Sequence, residues 1–262
     1  MVSNTSIYEY VKKHDPDRFL LSYFAPTQHR DALLTLVAFN QEIAKTREIV
    51  SETQIGLIRY QWWQDALEEI YQGLMPRKHH IVEPLAEIIK RYNLPHDLFK
   101  NLIYAREFDL EDRQPDTFDG LKTYINLTHM PFVELSACVL GEDANKLKDL
   151  SYLYGLIGLI RSIPHYHGQN RYMVPSDWLK TYDLKLSKLH QEEERSKLST
   201  ALGDKVGDIT VEKPKHRYFK AMWSLSRHYL YLLEKSGYDA FELGHKGKKH
   251  RFFMILKLIC GV

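Results

Sequence analysis

Arginine and histidine side chains gather in one stretch of the chain, residues 158–175, directly after an apolar run. This stretch contains Arg161, His165 and Arg171, and Pro175 closes it. An apolar wall that leads into convergent polar groups and a helix break is typical of the rim of a ligand pocket. We therefore expect this stretch to form a pocket rim.

The arginines of the chain allow two interpretations. Arg47, Arg59 and Arg161 could bind a phosphate or a lipid head group, because a guanidinium presents several N–H donors in a rigid plane. The same arginines could instead form a polar network with neighbouring acidic residues, namely Glu42, Glu48 and Asp65.

His165 and His167 do not indicate a metal site. Two residues apart they diverge on a helix and converge only on an extended chain. Neither an acidic residue nor a third histidine lies beside them in the sequence. We therefore expect no metal at this rim.

Helices must position these residues, because the apolar side chains recur with a helical period. This period is clear in residues 27–50, and residues 144–163 form the apolar helix that leads into the rim. No run of residues alternates with the period of a strand. We predict an all-α fold with a single helical domain over residues 1–262, in which residues 203–213 form a flexible loop.

Composition narrows the class of protein. A formal net charge of +2 argues against a nucleic-acid partner. No apolar stretch reaches the roughly 18 residues that a membrane span needs. The first residues lack the apolar centre of a signal peptide, and the two cysteines, Cys138 and Cys260, are far apart in sequence. These features predict a cytoplasmic location.

Two segments in the expected order resemble the squalene/phytoene synthase family. The first is Asp-Arg-Phe-Leu-Leu-Ser-Tyr-Phe-Ala-Pro at residues 17–26, with the apolar run that ends at Phe39, and the second covers residues 159–175. The resemblance extends over roughly residues 15–179, and the last third of the chain matches weakly. It implies a fold of the isoprenoid-synthase type with a central apolar cavity between helices.

Members of that family join two isoprenoid diphosphates head to head, using Mg²⁺ held by aspartates on two facing helices. By this resemblance the first acidic motif should fall at residues 44–48, where the chain reads Ala-Lys-Thr-Arg-Glu. The second should fall at residues 162–166, where it reads Ser-Ile-Pro-His-Tyr. Only Glu48 is acidic in these two segments, so we expect a protein that keeps the fold without the synthase reaction.

The resemblance then implies a binding protein with no catalytic residue and no metal cofactor. The candidate ligands for a diphosphate or another anion are Lys45, Arg47, Glu48, Arg161, His165 and Arg171. The alternative is an active prenyl transferase that condenses two isoprenoid diphosphates at a divergent site. In that case Mg²⁺ would be held by a different set of carboxylates, drawn from Glu42, Glu48 and Glu52.

One branch of the family is more similar to this chain, namely the branch that contains the mitochondrial complex I assembly factor and its bacterial relatives. The similarity lies in Ala-Phe-Asn-Gln-Glu-Ile-Ala at residues 38–44 and in Ile-Arg-Tyr-Gln-Trp-Trp-Gln-Asp-Ala at residues 58–66. It implies a role in complex I assembly. The expected partners are an isoprenoid or lipid ligand and subunits of the membrane complex.

Residues 244–262 are basic at first and then aromatic and apolar. This terminal helix could lie on an anionic membrane surface, which would make the protein peripheral to the inner membrane. It could instead pack its apolar side on the domain and keep its lysines in solvent.

Overall fold

A computed structural model describes residues 4–207 and 209–243. Within these residues the regular elements are α-helices and 3₁₀ helices, and there is no β-strand. The all-α prediction is confirmed for these residues. Two short 3₁₀ helices cover Ala144–Leu147 and Leu186–Lys188. The α-helices are α1 (Asn4–His14), α2 (Pro16–Ser22), α3 (Thr27–Ala44), α4 (Thr46–Ile49), α5 (Thr53–Tyr71), α6 (Val82–Tyr92), α7 (His96–Leu110), α8 (Phe118–Leu140), α9 (Lys148–His167), α10 (Ser176–Thr181), α11 (Glu192–Val206) and α12 (Arg217–Lys235).

The chain divides into two compact units. Of the described residues, the first unit contains 4–112, together with Leu127–Lys148 and His216–Tyr218. The second unit contains the described residues of Arg113–Asn126, Asp149–Lys215 and 219–243. The single domain and the central cavity expected from the sequence stay predictions.

Helix α3 forms the core of the first unit and packs against α1, α2, α6 and α7. Its Phe39 meets Trp63 of α5 edge to face at 5.4 Å between ring centroids, and Phe99 of α7 at 5.3 Å. All three side chains are at most 1% exposed. Such aromatic pairs contribute about 0.5–1.5 kcal/mol beyond the burial of their surface.

Helices α5 and α7 approach each other closely at Gly56. A Cβ atom at this position would lie 2.5 Å from Cδ2 of Leu110. The hydroxyl of Thr53 donates to the carbonyl oxygen of Leu110 at 3.0 Å, and the hydroxyl of Tyr60 donates to that of Arg106 at 3.2 Å. The two helices therefore run antiparallel, and the small glycine permits their contact.

In the second unit, the backbone after the predicted pocket rim is anchored to a neighbouring loop. The amide of Ser176 donates to the carbonyl oxygen of Pro115 at 2.8 Å, and the amide of Asp177 donates to that of Asp116 at 3.0 Å. The side chain of Trp178, 3% exposed, then stacks on Phe118 of the same unit. These contacts fix where α10 begins.

Several helix boundaries differ from the sequence prediction. The helix expected over residues 27–50 ends at Ala44, and the short α4 follows it. The hydroxyl of Thr46 donates to the carbonyl oxygen of Glu42 at 3.2 Å, so a side chain competes for the helical acceptor at this break. The segment that should carry the first acidic motif therefore lies at a helix junction.

Two further boundaries lie later than expected. Helix α9 continues through Pro164 to His167, although it was expected to end near residue 163. Helix α11 continues to Val206, so residues 203–206 of the expected loop are helical. The terminal helix expected within residues 244–262 lies outside the described residues. Within the described part of the chain, no helix combines the length and the apolar character that crossing a membrane requires.

Candidate functional site

A group of charged side chains in the first unit surrounds Glu42, which is 5% exposed. Lys45 donates to Oε1 of this carboxylate at 2.5 Å, and Arg59 donates to Oε2 at 2.5 Å. Lys45 also donates to the hydroxyl of Tyr10 at 3.0 Å. We call these four residues the Glu42 network, and it unites α1, α3 and α5.

Electrostatics keep Glu42 ionised. Burial alone would raise its pKa, but hydrogen bonds from Lys45 and Tyr10, together with the charges of Lys45 and Arg59, hold the pKa below its ordinary value. The pKa of Tyr10 is raised, first by burial and then by its hydrogen bond to Glu42. The network therefore contains two cations and one carboxylate, and it carries an excess of positive charge.

The structure confirms the sequence-based interpretation that Arg59 pairs with Glu42. The corresponding interpretation of Arg47 is wrong. Arg47 forms two hydrogen bonds with Asp112, just after α7, and does not pair with Glu42, Glu48 or Asp65. Its Nε donates to Oδ1 at 2.9 Å, and its Nη2 donates to Oδ2. The hydrogen bond to Asp112 raises the pKa of Arg47 further. Glu48 is exposed to solvent.

In the second unit, two of the predicted rim residues lie over aromatic rings. The guanidinium of Arg161 lies over the ring of Tyr229, 3.8 Å from its centroid. That of Arg171 lies over the ring of Tyr166 at 5.2 Å. Cation–π contacts of this kind are worth about 0.5–2 kcal/mol, depending on how far the cation is desolvated.

His165 and His167 lie on a continuous helix and diverge, as the spacing predicted. His165 forms a hydrogen bond with the amide of Gln169 at 3.1 Å. His167 contacts the hydroxyl of Tyr172 at 3.4 Å, and burial, followed by the proximity of His190, lowers the pKa of His167. Among the described residues, no group of three His, Cys, Asp or Glu side chains could hold a metal ion.

An enclosed apolar space lies beside the rim in the second unit. Its volume is about 10 Å³, roughly one water-sized sphere, whereas ligand pockets usually measure about 300–1,000 Å³. As it stands, the space is a gap in the packing and too small for a lipid chain. Its lining residues are Phe118, Leu121, Leu156, Leu159, Ile160, Ile163, Met173, Val174, Pro175, Trp178, Leu202 and Val206.

Three partners in these contacts were not predicted from the sequence. Tyr10, Asp112 and Tyr229 lie 35, 65 and 68 positions away from the residues that they contact. A charged or aromatic residue at such a distance gives no local signal of pairing. Only the packing of helices brings these side chains together.

The helical arrangement is that of the isoprenoid-synthase fold class. Two solved structures share this fold. The squalene synthase HpnC from Alicyclobacillus acidocaldarius matches with a TM-score of 0.71 and 17% identity, covering 90% of this chain and 94% of that one. A dehydrosqualene synthase in complex with a ligand matches with a TM-score of 0.74 and 12% identity, covering 98% and 95%.

The chain belongs to the squalene/phytoene synthase family, whose model matches residues 11–252. This match extends well beyond residues 15–179, the range in which the resemblance was expected. A curated relative, the human NADH dehydrogenase (ubiquinone) complex I assembly factor 6, is 28% identical over 173 residues. That alignment covers 64% of this chain and 52% of the human protein, so the chain spans about half the length of the curated relative.

Proposed function

We propose that this protein is a non-catalytic member of its family that assists the assembly of respiratory complex I. The observation that carries the proposal is the similarity to proteins named complex I assembly factor 6, found from human to Dictyostelium discoideum. The expected partners are subunits of that complex, at the inner membrane.

The chemistry of both units supports the absence of synthase activity. Mg²⁺ requires carboxylate or phosphate oxygens, and the buried carboxylate of Glu42 already accepts hydrogen bonds from Lys45 and Arg59. Residues 162–166 on α9 contain no acidic side chain. Removing one preorganised electrostatic group typically reduces a rate about 10²- to 10³-fold, and here most of the expected carboxylates are replaced.

An isoprenoid or another lipid with an anionic head group is the proposed ligand. Lys45 and Arg59 could receive the anion, because the Glu42 network has one positive charge more than it neutralises. Arg161 and Arg171 remain candidates in the second unit. Arg47 is the weakest candidate, since Asp112 occupies its guanidinium.

The assembly role is tested by complementation. Cells that lack their own assembly factor 6 would receive this protein with a mitochondrial targeting segment, and assembled complex I would be measured on native gels. We expect partial or full recovery of the complex. The matched control is the Trp63→Ala variant, which removes a fully buried side chain and should abolish recovery together with folding.

The absence of synthase activity is tested separately. Purified protein would be incubated with farnesyl or geranylgeranyl diphosphate and Mg²⁺, with an active squalene synthase as the positive control. We expect no head-to-head product. Turnover to such a product would replace this proposal with the prenyl transferase alternative.

A further inference from the structure

The loop that follows α5 in the first unit carries two large apolar side chains into solvent. Met75 is 90% exposed, and its neighbour Leu74 is 56% exposed. Two cations, Arg77 and Lys78, follow them in the sequence. Single exposed apolar residues are common on protein surfaces, whereas adjacent ones with charged residues at their side can mark a site of interaction.

The backbone at the end of α5 explains why Leu74 is exposed. Gly73 has a positive φ of 75°, and its amide donates to the carbonyl oxygen of Ile70 at 3.1 Å. The amide of Leu74 donates to the carbonyl oxygen of Glu69 at 3.0 Å, which completes a Schellman motif. In this motif the residue at the position of Leu74 often packs on an apolar side chain at the position of Glu69. A carboxylate occupies that position here, so Leu74 lacks this usual apolar contact.

Arg77 attaches the other side of the loop to α5. Its Nε and Nη2 donate to the carboxylate of Glu69 at 2.9 and 2.7 Å, and its Nη1 donates to the carbonyl oxygen of Trp62 at 3.2 Å. The guanidinium also lies over the ring of Trp62, 5.3 Å from its centroid. The chain is therefore anchored before and after Met75, and Leu74 and Met75 lie between two fixed points.

The end of α1 adds a lysine beside this loop. The ring of His80 lies 6.1 Å from that of Tyr10 on α1, measured between centroids. Lys13 and His14 follow Tyr10 by three and four positions, so they lie on the same side of the helix. The rings of Tyr10 and His14 are 4.7 Å apart, as this spacing requires. Lys13 therefore lies on the side of α1 that faces the segment after the loop.

The lysines of this region are not neutralised by the acids near them. Those acids pair with other cations, in Glu9–Lys12, Glu68–Lys100, Asp65–Arg77 and Glu69–Arg77. Glu83 is half-buried at the start of α6, and its charge acts on His79. Lys13 and Lys78 are exposed and form no ion pair within the described part of the chain. Both are therefore available to an anionic partner.

We propose that Leu74, Met75, Lys78 and Lys13 form a docking surface for an anionic phospholipid membrane, which we call the Met75 surface. Leu74 and Met75 enter the boundary between head groups and acyl chains, and the two lysines contact lipid phosphates. Two apolar side chains and two cations give a reversible contact. The inference goes beyond the assembly role, since it assigns a surface of this unit and the chemistry that it binds.

Shape and charge favour a membrane over a protein at the Met75 surface. A partner helix usually lies in a groove, with apolar contacts spread over two helical turns, whereas the apolar contact here is two adjacent residues in a loop. A bilayer interface receives such side chains without a preformed pocket. A second copy of the chain would oppose Lys13 and Lys78 to the same lysines in a two-fold contact.

Co-sedimentation of the full-length protein with vesicles tests the proposal. The vesicles contain phosphatidylcholine with about one third phosphatidylglycerol, and pure phosphatidylcholine vesicles are the control. The Leu74→Ser/Met75→Ser variant should weaken binding to the anionic vesicles at least tenfold. The Lys13→Gln/Lys78→Gln variant should weaken it about 25-fold at low salt, since one lysine near such a surface contributes roughly fivefold. This second effect should shrink at high salt.

Matched controls change similar residues outside the Met75 surface. Tyr104→Ser replaces an apolar side chain that is 70% exposed, and Lys90→Gln/Lys146→Gln removes the same charge from two exposed lysines. Both should bind vesicles as the wild type does. Every variant retains residues 244–262, so a contribution from that segment is the same throughout. Thermal melting confirms that each variant is folded.

Fluorescence gives an independent measurement of insertion. In the Met75→Trp variant, the emission of the added tryptophan should shift to the blue when anionic vesicles are present. Tyr104→Trp, which adds a tryptophan on α7, should show no added shift. Vesicle binding that is equal in the surface variants and the controls would overturn the proposal, as would an unshifted Met75→Trp emission in the bound protein.

Two further outcomes would assign the Met75 surface to another occupant and so overturn the proposal. One is loss of self-association in the surface variants while vesicle binding stays at the wild-type level. The other is loss of complex I recovery in those variants, again with unchanged vesicle binding, which would indicate a partner protein. Complementation by the wild type measures the assembly role by itself, so the two proposals can fail separately.

Discussion

The guanidinium of Arg59 donates a 2.5 Å hydrogen bond to Glu42, which is the carboxylate that Lys45 also binds. One buried acid therefore pairs with two cations, Lys45 directly after α3 and Arg59 on α5. Removing that acid leaves both cations close together without compensation, so the network depends more on Glu42 than on either partner.

The Glu42→Gln substitution should destabilise the protein by about 3 kcal/mol. Breaking a buried ion pair by removing one partner costs about 3–5 kcal/mol, and the partial exposure of Lys45 and Arg59 places the value at the lower end. Urea denaturation at pH 7 measures the free energy of unfolding. The exposed Glu142→Gln variant is the control and should differ from the wild type by less than about 0.5 kcal/mol. Equal stability of the Glu42→Gln variant and the control would show that the network contributes nothing.

The same network makes stability depend on pH. The folded pKa of Glu42 lies below its value of 4.5 in the unfolded chain, so its stabilisation is complete above pH 4.5. It is lost as the pH falls through the folded pKa, because protonation removes the charge that Lys45 and Arg59 require. We expect the unfolding free energies of the wild type and Glu42→Gln to differ at pH 7, to approach each other as the pH falls below 4.5, and to converge once the pH is below the folded pKa of Glu42. A constant difference over this range would contradict the assignment.

The sequence predicted the fold well because helices leave a periodic signal. The burial of Leu33, Val37 and Phe39 on α3 follows the apolar pattern read from residues 27–50. The break after Ala44 was missed, because neither glycine nor proline marks it in the sequence, and the competing hydrogen bond of Thr46 depends on local geometry.

The candidate site was less predictable from the sequence. The pair of Arg59 and Glu42 was among the expected ones, since neighbouring segments supply both residues. Arg47 was assigned to nearby acids, whereas it pairs with Asp112, because the contact between α5 and α7 brings the end of α7 to α4. Pairing across 65 positions depends on tertiary packing, and the sequence pattern contains no information on it.

The close approach of α5 and α7 makes Gly56 sensitive to substitution. In Gly56→Ala the new Cβ would lie 2.5 and 2.8 Å from the two Cδ atoms of Leu110, so that side chain must move within a tightly packed contact. Overpacking typically costs about 1–3 kcal/mol, and the better helix propensity of alanine returns up to about 1 kcal/mol. We expect a net loss of about 1 kcal/mol by urea denaturation.

Gly158 on α9 provides the matched control, because no atom beyond its chain neighbours and the adjacent backbone of α9 lies within 4 Å of the position that its Cβ would occupy. Gly158→Ala should therefore stabilise the protein by up to about 1 kcal/mol through helix propensity alone. The smaller Leu110→Val side chain should make Gly56→Ala less costly in the double variant. A stabilising effect of Gly56→Ala would show that Leu110 moves away from the new Cβ atom without a loss of free energy.

The contact between Arg161 and the ring of Tyr229 should appear as a coupling energy. Both residues have further interactions, so single substitutions would mix several effects. A double-mutant cycle with Arg161→Met and Tyr229→Leu isolates the pair, since the other losses cancel. With the guanidinium 3.8 Å from the ring centroid and Tyr229 only 2% exposed, we expect a coupling of about 1–2 kcal/mol in the free energy of unfolding.

The substitutions Arg171→Met and Tyr166→Leu give a comparison pair at 5.2 Å, which should couple by about 0.5 kcal/mol. Equal coupling in the two pairs would mean that the contact of Arg161 with Tyr229 contributes no more to stability than the longer contact of Arg171. Ligand binding would then be the remaining role for an arginine at position 161.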